Sequence, residues 1–139
     1  MAGNTLLSRG VGAPKRGKED PPADNVIMAC INCRLTSDWK RAQLFYILQE
    51  IVGVDICVVA DTWLGDSDNV SMQGQAERAG FKWTGIGRMH GKGGGVGVLV
   101  KKHLQWRTVS KFAANVLWIE VDGIGRLAGV YAPTPSWVL

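Results

Sequence analysis

The feature that most constrains the fold is a pair of short apolar runs, with a stretch of helical spacing between them. Residues 26–31 and 54–60 are each too short for a buried helix, and each suits a strand covered on both faces. Between them, apolar residues recur every three or four positions from Leu44 to Ile51, which predicts a helix with one apolar face. Ser37 and Gly53 are suitable caps for its two ends. The pattern therefore predicts a strand–helix–strand unit within one sheet.

The rest of the chain is richer in short strand-like segments. Gly-Asp-Ser-Asp-Asn at residues 65–69 predicts a polar loop, and residues 72–79 predict a short helix. Asp122-Gly123 predicts a hairpin turn between two of the later strands. The expected fold class is α/β, a sandwich of two sheets flanked by helices, and it is expected to be incomplete because such sandwiches commonly need about 200–250 residues. The later strands are predicted at 81–83, 96–100, 116–121 and 127–131.

Composition sets the domain limits and the compartment. Residues 1–24 are rich in Gly, Pro and charge and predict a flexible N-terminal tail, so the domain is expected at 25–139. The formal charge of +4 permits a polyanionic partner without requiring one. No apolar run approaches the roughly 18–20 residues of a membrane span, and the N-terminus lacks a secretion signal. Three cysteines favour a reducing compartment, so we expect an intracellular protein of the nucleus or cytoplasm that is neither secreted nor membrane-bound.

Polar side chains stand at the ends of three predicted strands. Asn32 and Asp61 follow the two early apolar runs, and Tyr131 ends a later one. A carboxylate and an amide supply the oxygen ligands and the hydrogen-bond donor that suit Mg²⁺ and a phosphate, and a tyrosine can stabilise charge on a phosphoryl oxygen. The spacing alone leaves two interpretations open: a metal-dependent phosphate site, or ordinary polar residues where strands end.

Five pieces of sequence, in order, carry a resemblance to a known family. The chain resembles the endonuclease/exonuclease/phosphatase superfamily over roughly residues 25–135, and within it the endonuclease domains that accompany reverse transcriptase in non-LTR retrotransposons. The resemblance implies a two-sheet sandwich, Mg²⁺-dependent hydrolysis of a phosphodiester or phosphomonoester, and DNA as the partner. The pieces are Ile31-Asn32, Val58-Val59-Ala60-Asp61-Thr62-Trp63-Leu64, Gly93-Gly94-Gly95-Val96-Gly97-Val98-Leu99-Val100, Trp118-Ile119-Glu120-Val121 and Val130-Tyr131-Ala132-Pro133.

The resemblance assigns roles and also shows departures. It implies that Asn32 orients the site, that Asp61 binds the metal and that Tyr131 is the active-site tyrosine. Asp61 stands where the family usually has a longer Glu, with Ala60 in place of the usual Gln before it. The family's Gly-Asp-Phe-Asn and Ser-Asp-His segments, which supply its catalytic His, have no counterpart before Leu139. The chain is therefore expected to be an N-terminal fragment that is inactive alone.

Several further residues have competing interpretations. Arg34 follows the first strand end and Lys92 lies in a glycine-rich turn, so both are candidate contacts to a nucleic-acid backbone. Residues 91–97 do not match a phosphate-binding P-loop, because the spacing of the glycines is wrong and a strand follows. Cys30 and Cys33 form a C-x-x-C pair that suits either core packing or thiol redox chemistry. The alternative function is a non-catalytic remnant that binds nucleic acid or protein.

Overall fold

The computed structural model describes residues 5–9, 25–88, 94–112 and 116–131 of the chain. Within these ranges the backbone forms two helices and eight strands in two sheets. The helices are α1, Asp38–Tyr46, which continues as a π-helical turn over Ile47–Val52, and α2, Asp66–Arg78. The strands are β1 Thr5–Arg9, β2 Ile27–Asn32, β3 Ile56–Ala60, β4 Phe81–Ile86, β5 Val96–Lys101, β6 Trp106–Phe112, β7 Val116–Val121 and β8 Gly125–Val130.

The first sheet has the strand order β1-β2-β3-β5-β4. Strands β2 and β3 are parallel and are joined by α1, so the predicted strand–helix–strand unit is confirmed. The other neighbours in this sheet are antiparallel. In the parallel pair, Asn32 lies opposite Ala60, which places the two strand ends side by side.

The second sheet is antiparallel, in the order β6-β7-β8, and it packs face to face on the first. The predicted hairpin joins β7 to β8 through a turn in which Gly123 has a φ of 80°. A side chain at Gly129 would lie 3.1 Å from Val96 and 3.2 Å from Val58, so β8 runs directly over β3 and β5. The core between the sheets comprises Val26, Ile56, Val96, Val98, Val100, Leu104, Leu117, Ile119 and Val121.

Both helices cover the opposite face of the first sheet. Alternation along β3 sends Cys57 and Val59 to the helical side and Ile56 to the side of the second sheet. The described residues therefore form three layers, helices on sheet on sheet, and the predicted α/β sandwich is confirmed. No helix in the described ranges has both the length and the apolar character of a membrane span. The helix-side core includes Ala29, Ile31, Leu35, Leu44, Phe45, Leu48, Leu64, Met72, Phe81, Trp83 and Leu99.

The two caps predicted for α1 are present. The Ser37 hydroxyl accepts a hydrogen bond from the backbone N–H of Lys40 at 3.2 Å, which satisfies a donor that has no partner within the helix. Gly53 ends the helical segment with a φ of 69°, a left-handed conformation that glycine adopts without steric cost.

Two elements differ from the sequence predictions. Residues 65–69 are not a loop: α2 begins at Asp66, because the Asp68 carboxylate accepts the backbone N–H of Gly65 at 3.1 Å and acidic residues favour a helix N-terminus. Strand β6 was not predicted, although Trp106–Phe112 is rich in strand-forming residues.

The predicted flexible tail contains a strand. Thr5–Arg9 pairs antiparallel with β2, a strand that the sequence pattern did not predict. The pairing has a physical reason, since β2 would otherwise present a row of unpaired backbone groups at this edge. The remaining tail residues lie outside the described ranges, and the boundary of the domain stays a prediction.

Candidate active site

The ends of β2, β3 and β8 meet at one end of the sandwich. Asn32 is the last residue of β2, and Asp61 follows the last residue of β3. A backbone hydrogen bond of 3.1 Å from Cys33 to Ala60 keeps these two ends together beyond the sheet. Because β8 runs over β3 and β5, Tyr131 arrives at the same end from the second sheet. The structure thus brings together the three strand-end residues predicted as catalytic or metal-binding.

Asp61 is held in an unusual backbone conformation. Its φ is 57°, in the left-handed region that few residues other than glycine adopt. One carboxylate oxygen of Asp61 accepts the backbone N–H of Gly94 at 2.8 Å, and the next residue, Thr62, donates its N–H to Gly95 at 3.2 Å. These bonds keep the partly buried carboxylate in one orientation at the strand end.

The glycine-rich turn before β5 supplies the backbone groups that bond to Asp61 and Thr62. Gly94 and Gly95 have φ values of 83° and 88°, which a residue with a side chain rarely adopts. A side chain at Gly95 would also lie 2.6 Å from the Thr62 hydroxyl. The glycines therefore let the turn approach closely enough to bond to Asp61, and the predicted turn into a strand is confirmed for residues 94–97. Lys92, the predicted substrate contact of this turn, lies outside the described residues.

Tyr131 is an electrostatic neighbour of Asp61. Partial burial raises the pKa of the Tyr131 phenol, and the negative charge of Asp61 raises that pKa further. A phenol is neutral at physiological pH even at its ordinary pKa, and this shift acts in the same direction. A neutral phenol beside a carboxylate is a hydrogen-bond donor, which is the form needed to contact a phosphate oxygen.

Asn32 and Arg34 are exposed at the rim of this site. The guanidinium carbon of Arg34 stacks 3.7 Å from the ring centre of Trp63, two residues after Asp61. The structure therefore places the side chain of Arg34 on the indole that follows the strand end of Asp61.

Two rim residues were not predicted from the sequence. Trp63 has a φ of 63° and is partly buried, and Arg88 lies over the same indole at 6.0 Å. Trp63 stands within the string that carries the family resemblance, so its position was a usable signal. Arg88 follows β4 and has no sequence motif of its own, so only the fold brings it to this end.

The described residues at this end offer Mg²⁺ only a small set of oxygen donors. Among the residues that the structure describes, no three His, Cys, Asp or Glu side chains cluster as a metal site. Asp61 offers one carboxylate, with one oxygen already accepting from Gly94, and Asn32 offers an amide at the adjacent strand end. Mg²⁺ is commonly held by one or two carboxylates while keeping waters and substrate phosphates as ligands. Asp61 and Asn32 therefore supply oxygen donors of the kind that Mg²⁺ takes, and among the described residues they do not make up a complete metal site.

The cysteine pair does not have the properties of a redox site. Cys33 and Cys57 are buried, while Cys30 is exposed. Burial raises the pKa of Cys33, and burial together with the neighbouring thiols raises the pKa of Cys57 to about 12. Redox-active pairs have a lowered thiol pKa, since the thiolate is the reactive form. For the Cys30–Cys33 pair, core packing is therefore supported for buried Cys33 and not for exposed Cys30.

His103 lies away from the strand-end site. Its ring nitrogen is 3.6 Å from the Asp55 carboxylate, just before the start of β3, whereas Asp61 follows the end of the same strand. The fold thus supplies this histidine with a carboxylate from a residue 48 positions earlier in the sequence. The resulting pair is at the opposite end of the sheet, so it is not a base for the site around Asp61.

Comparison with known proteins identifies the fold. No family model and no curated protein sequence matches this chain. Among solved structures, an AP endonuclease from Archaeoglobus fulgidus matches with a TM-score of 0.57 at 17% identity, over 76% of this chain and 40% of that chain. A 3′ phosphatase, NExo, from Neisseria bound to a product DNA hairpin matches with a TM-score of 0.50 at 15% identity, over 73% of this chain and 39% of that one. This chain thus spans about two fifths of those proteins, and its described residues have the endonuclease/exonuclease/phosphatase fold.

Proposed function

We propose that this chain supplies part of a divalent-metal-dependent site that hydrolyses a phosphodiester in DNA, of the type found in retrotransposon endonucleases. The observation that carries the proposal is the meeting of Asn32, Asp61 and Tyr131 at one end of the sandwich. Asp61 is fixed by Gly94, and its charge acts on Tyr131. The names of the similar structures, an AP endonuclease and a phosphatase bound to a DNA hairpin, support a DNA substrate.

Each residue has a defined part in this proposal. Asp61 and the amide of Asn32 would hold Mg²⁺, which supplies charge stabilisation to a phosphate when it is bound. Tyr131, neutral at physiological pH, donates a hydrogen bond to a phosphate oxygen. Arg34 and Lys92 bind the flanking backbone. The nucleus or the cytoplasm is the proposed compartment, in keeping with a nucleic-acid substrate.

The isolated chain is proposed to be inactive or nearly so. Among the described residues, no histidine paired with a carboxylate lies near Asp61 to activate water. Loss of a general base typically lowers the rate by a factor of about 10²–10⁴. The matched part of this chain also covers only about two fifths of each solved structure, so the remaining catalytic groups would come from sequence beyond this chain's matched part.

Metal binding and activity can be tested on the purified chain. Paramagnetic Mn²⁺, used in place of Mg²⁺, is expected to broaden the NMR signals of Asn32 and Tyr131, and Asp61→Asn is expected to abolish the broadening. Asp122→Asn is the matched control, because Asp122 is an exposed carboxylate in the hairpin turn before β8. If the broadening persists in Asp61→Asn, the proposed metal-binding role of Asp61 is contradicted. Mg²⁺-dependent nicking of plasmid, lost on Asp61→Ala, would show that the chain is active alone.

A second candidate is binding to nucleic acid without catalysis. The observation that favours it is the stacking of Arg34 on Trp63, which forms a positively charged rim that needs no metal. An affinity for DNA that is unchanged by EDTA and by Asp61→Ala would support this candidate over the hydrolytic one.

A further inference from the structure

Two arginines from different parts of the chain meet on one indole beside Asp61. Arg34 follows β2, and its guanidinium carbon lies 3.7 Å from the ring centre of Trp63. Arg88 follows β4 and lies 6.0 Å from the same ring. Both distances are within the range of a cation–π contact. The fold therefore places two positive charges on the indole of Trp63, two residues after Asp61.

The backbone holds this group in place. Trp63 donates its N–H to Gly94 at 2.9 Å, and Arg88 donates its N–H to Leu64 at 2.9 Å. Leu35, the neighbour of Arg34, donates to Thr62 at 2.9 Å. The segments that carry the indole and both guanidinium groups are thus tied together by main-chain hydrogen bonds, so the geometry of the rim is built into the fold.

Stacking leaves the guanidinium of Arg34 suited to bind an anion. The face of the group lies on the indole, whereas its N–H donors point outward in the plane of the group. Arg34 is exposed, so these donors are accessible to solvent and to a ligand. A guanidinium can donate two parallel hydrogen bonds to one phosphate, which makes it a stronger partner for a phosphate than a flexible ammonium group.

We propose that Arg34 and Arg88 bind the phosphate backbone of duplex DNA next to Asp61, with Trp63 as the positioning residue. The proposal rests on the proposed function for the choice of DNA, and it adds the surface that holds the strand. Contacts of this kind do not depend on base sequence. They make the affinity for DNA fall as the salt concentration rises, because each neutralised phosphate releases counterions.

The experiment is the salt dependence of binding to a short fluorescein-labelled DNA duplex in EDTA. Arg34→Ala and Arg88→Ala are each expected to reduce the slope of log K against log salt by about 0.9, the value for one phosphate contact. Arg34→Lys keeps the charge and is expected to retain the slope. Its binding should be weaker, because lysine lacks the planar guanidinium that stacks on the indole and donates two parallel hydrogen bonds. Trp63→Leu is expected to reduce the slope, and Trp63→Phe to restore it in part, because phenylalanine keeps an aromatic face.

Arg78→Ala is the matched control for the loss of one exposed arginine. Arg78 lies in the last turn of α2, roughly 18 Å along the helix from Asp66 at the rise of about 1.5 Å per residue. Its slope is expected to equal that of the unmodified chain. An unchanged slope in Arg34→Ala, an equal fall in Arg78→Ala, or no DNA binding by the unmodified chain would each overturn the proposal.

EDTA separates this proposal from the hydrolytic one. The arginine variants could reduce the slope while the Mn²⁺ broadening is unchanged in Asp61→Asn. That result would support DNA binding by the two arginines and contradict metal binding by Asp61. Far-ultraviolet circular dichroism of each variant shows whether it is folded, and Arg34→Lys still tests the rim if the alanine variant is not.

Discussion

At the scale of single residues, the shorter carboxylate of Asp61 is the main departure from the resembled family. The structure shows how the chain accommodates this residue. Its left-handed backbone and its bond to Gly94 set the orientation of the carboxylate, and its charge contributes to the raised pKa of Tyr131. A single substitution at this position should therefore be visible at another residue.

Asp61→Asn is expected to lower the pKa of Tyr131. The negative charge beside the phenol is lost, so the phenolate form costs less. The pKa should remain above its ordinary value, because burial is the larger of the two causes and it persists. A pH titration of the Tyr131 ring signals by NMR measures this shift, with Asp122→Asn as the control. A higher pKa in Asp61→Asn would contradict the proximity of the two groups.

At the scale of elements, β4 and β5 pack around one large side chain. The ring of Trp83 lies on the helix side of the first sheet, over the glycines at 85 and 97. A side chain at Gly97 would overlap the Trp83 ring, and one at Gly85 would lie 2.9 Å from its indole nitrogen. That nitrogen donates to the Asn69 side chain at 2.8 Å, which connects the strand pair to α2. The small residues therefore leave the space that the tryptophan fills.

Gly97→Ala and Gly74→Ala are expected to change stability in opposite directions. The first forces Trp83 to move within a packed core, at a cost of about 1–3 kcal/mol in the free energy of unfolding. The second lies on an exposed face of α2 with its nearest neighbour, an Arg78 nitrogen, 3.8 Å away. Alanine there should stabilise the helix by about 0.5–1 kcal/mol. Urea unfolding measures both, and a loss of stability in Gly74→Ala would contradict the packing described for α2.

At the scale of the whole molecule, the two sheets have unequal widths. The first has five strands and the second three among the described residues, and the second sheet covers the face of β2 only in part: Met28 packs against the core between the sheets, whereas Cys30 is exposed. A groove of about 310 Å³ lies there, and β8 has no partner strand on its outer side in the described part of the chain. An open strand edge beside an apolar groove favours association with other polypeptides. The groove is lined by Met28, Ala29, Cys30, Val58, Leu127, Ala128 and Val130.

The isolated chain is therefore expected to self-associate through this edge as its concentration rises. Val130, which is 53% exposed, lies in the groove, and Val130→Lys is expected to reduce association by placing a charge on the edge strand. Val70→Lys is the matched control, because Val70 is an equally apolar residue, 67% exposed, on α2. Sedimentation velocity measures the outcome. An equal effect of both substitutions would show that the β8 edge has no special role.

Much of the fold was predictable because its signals are local. The apolar runs at β2 and β3, the caps of α1 and the β7–β8 turn depend on residues close in sequence, and the structure confirms them. The start of α2 was missed because Gly-Asp-Ser-Asp-Asn is equally typical of a loop, and only the bond between Asp68 and Gly65 decides for a helix. Strand β1 was missed because its pairing depends on a distant edge.

The residue pattern was enough to show which polar residues stand at strand ends, and these are Asn32, Asp61 and Tyr131. Only the folded chain shows that these ends meet, that Gly94 holds Asp61, and that Arg34 and Arg88 share Trp63. The reason is physical. Strand and cap preferences depend on near neighbours along the chain. The site instead depends on residues far apart in sequence, such as Asp61 and Tyr131, which interact across 70 positions because the two sheets pack together.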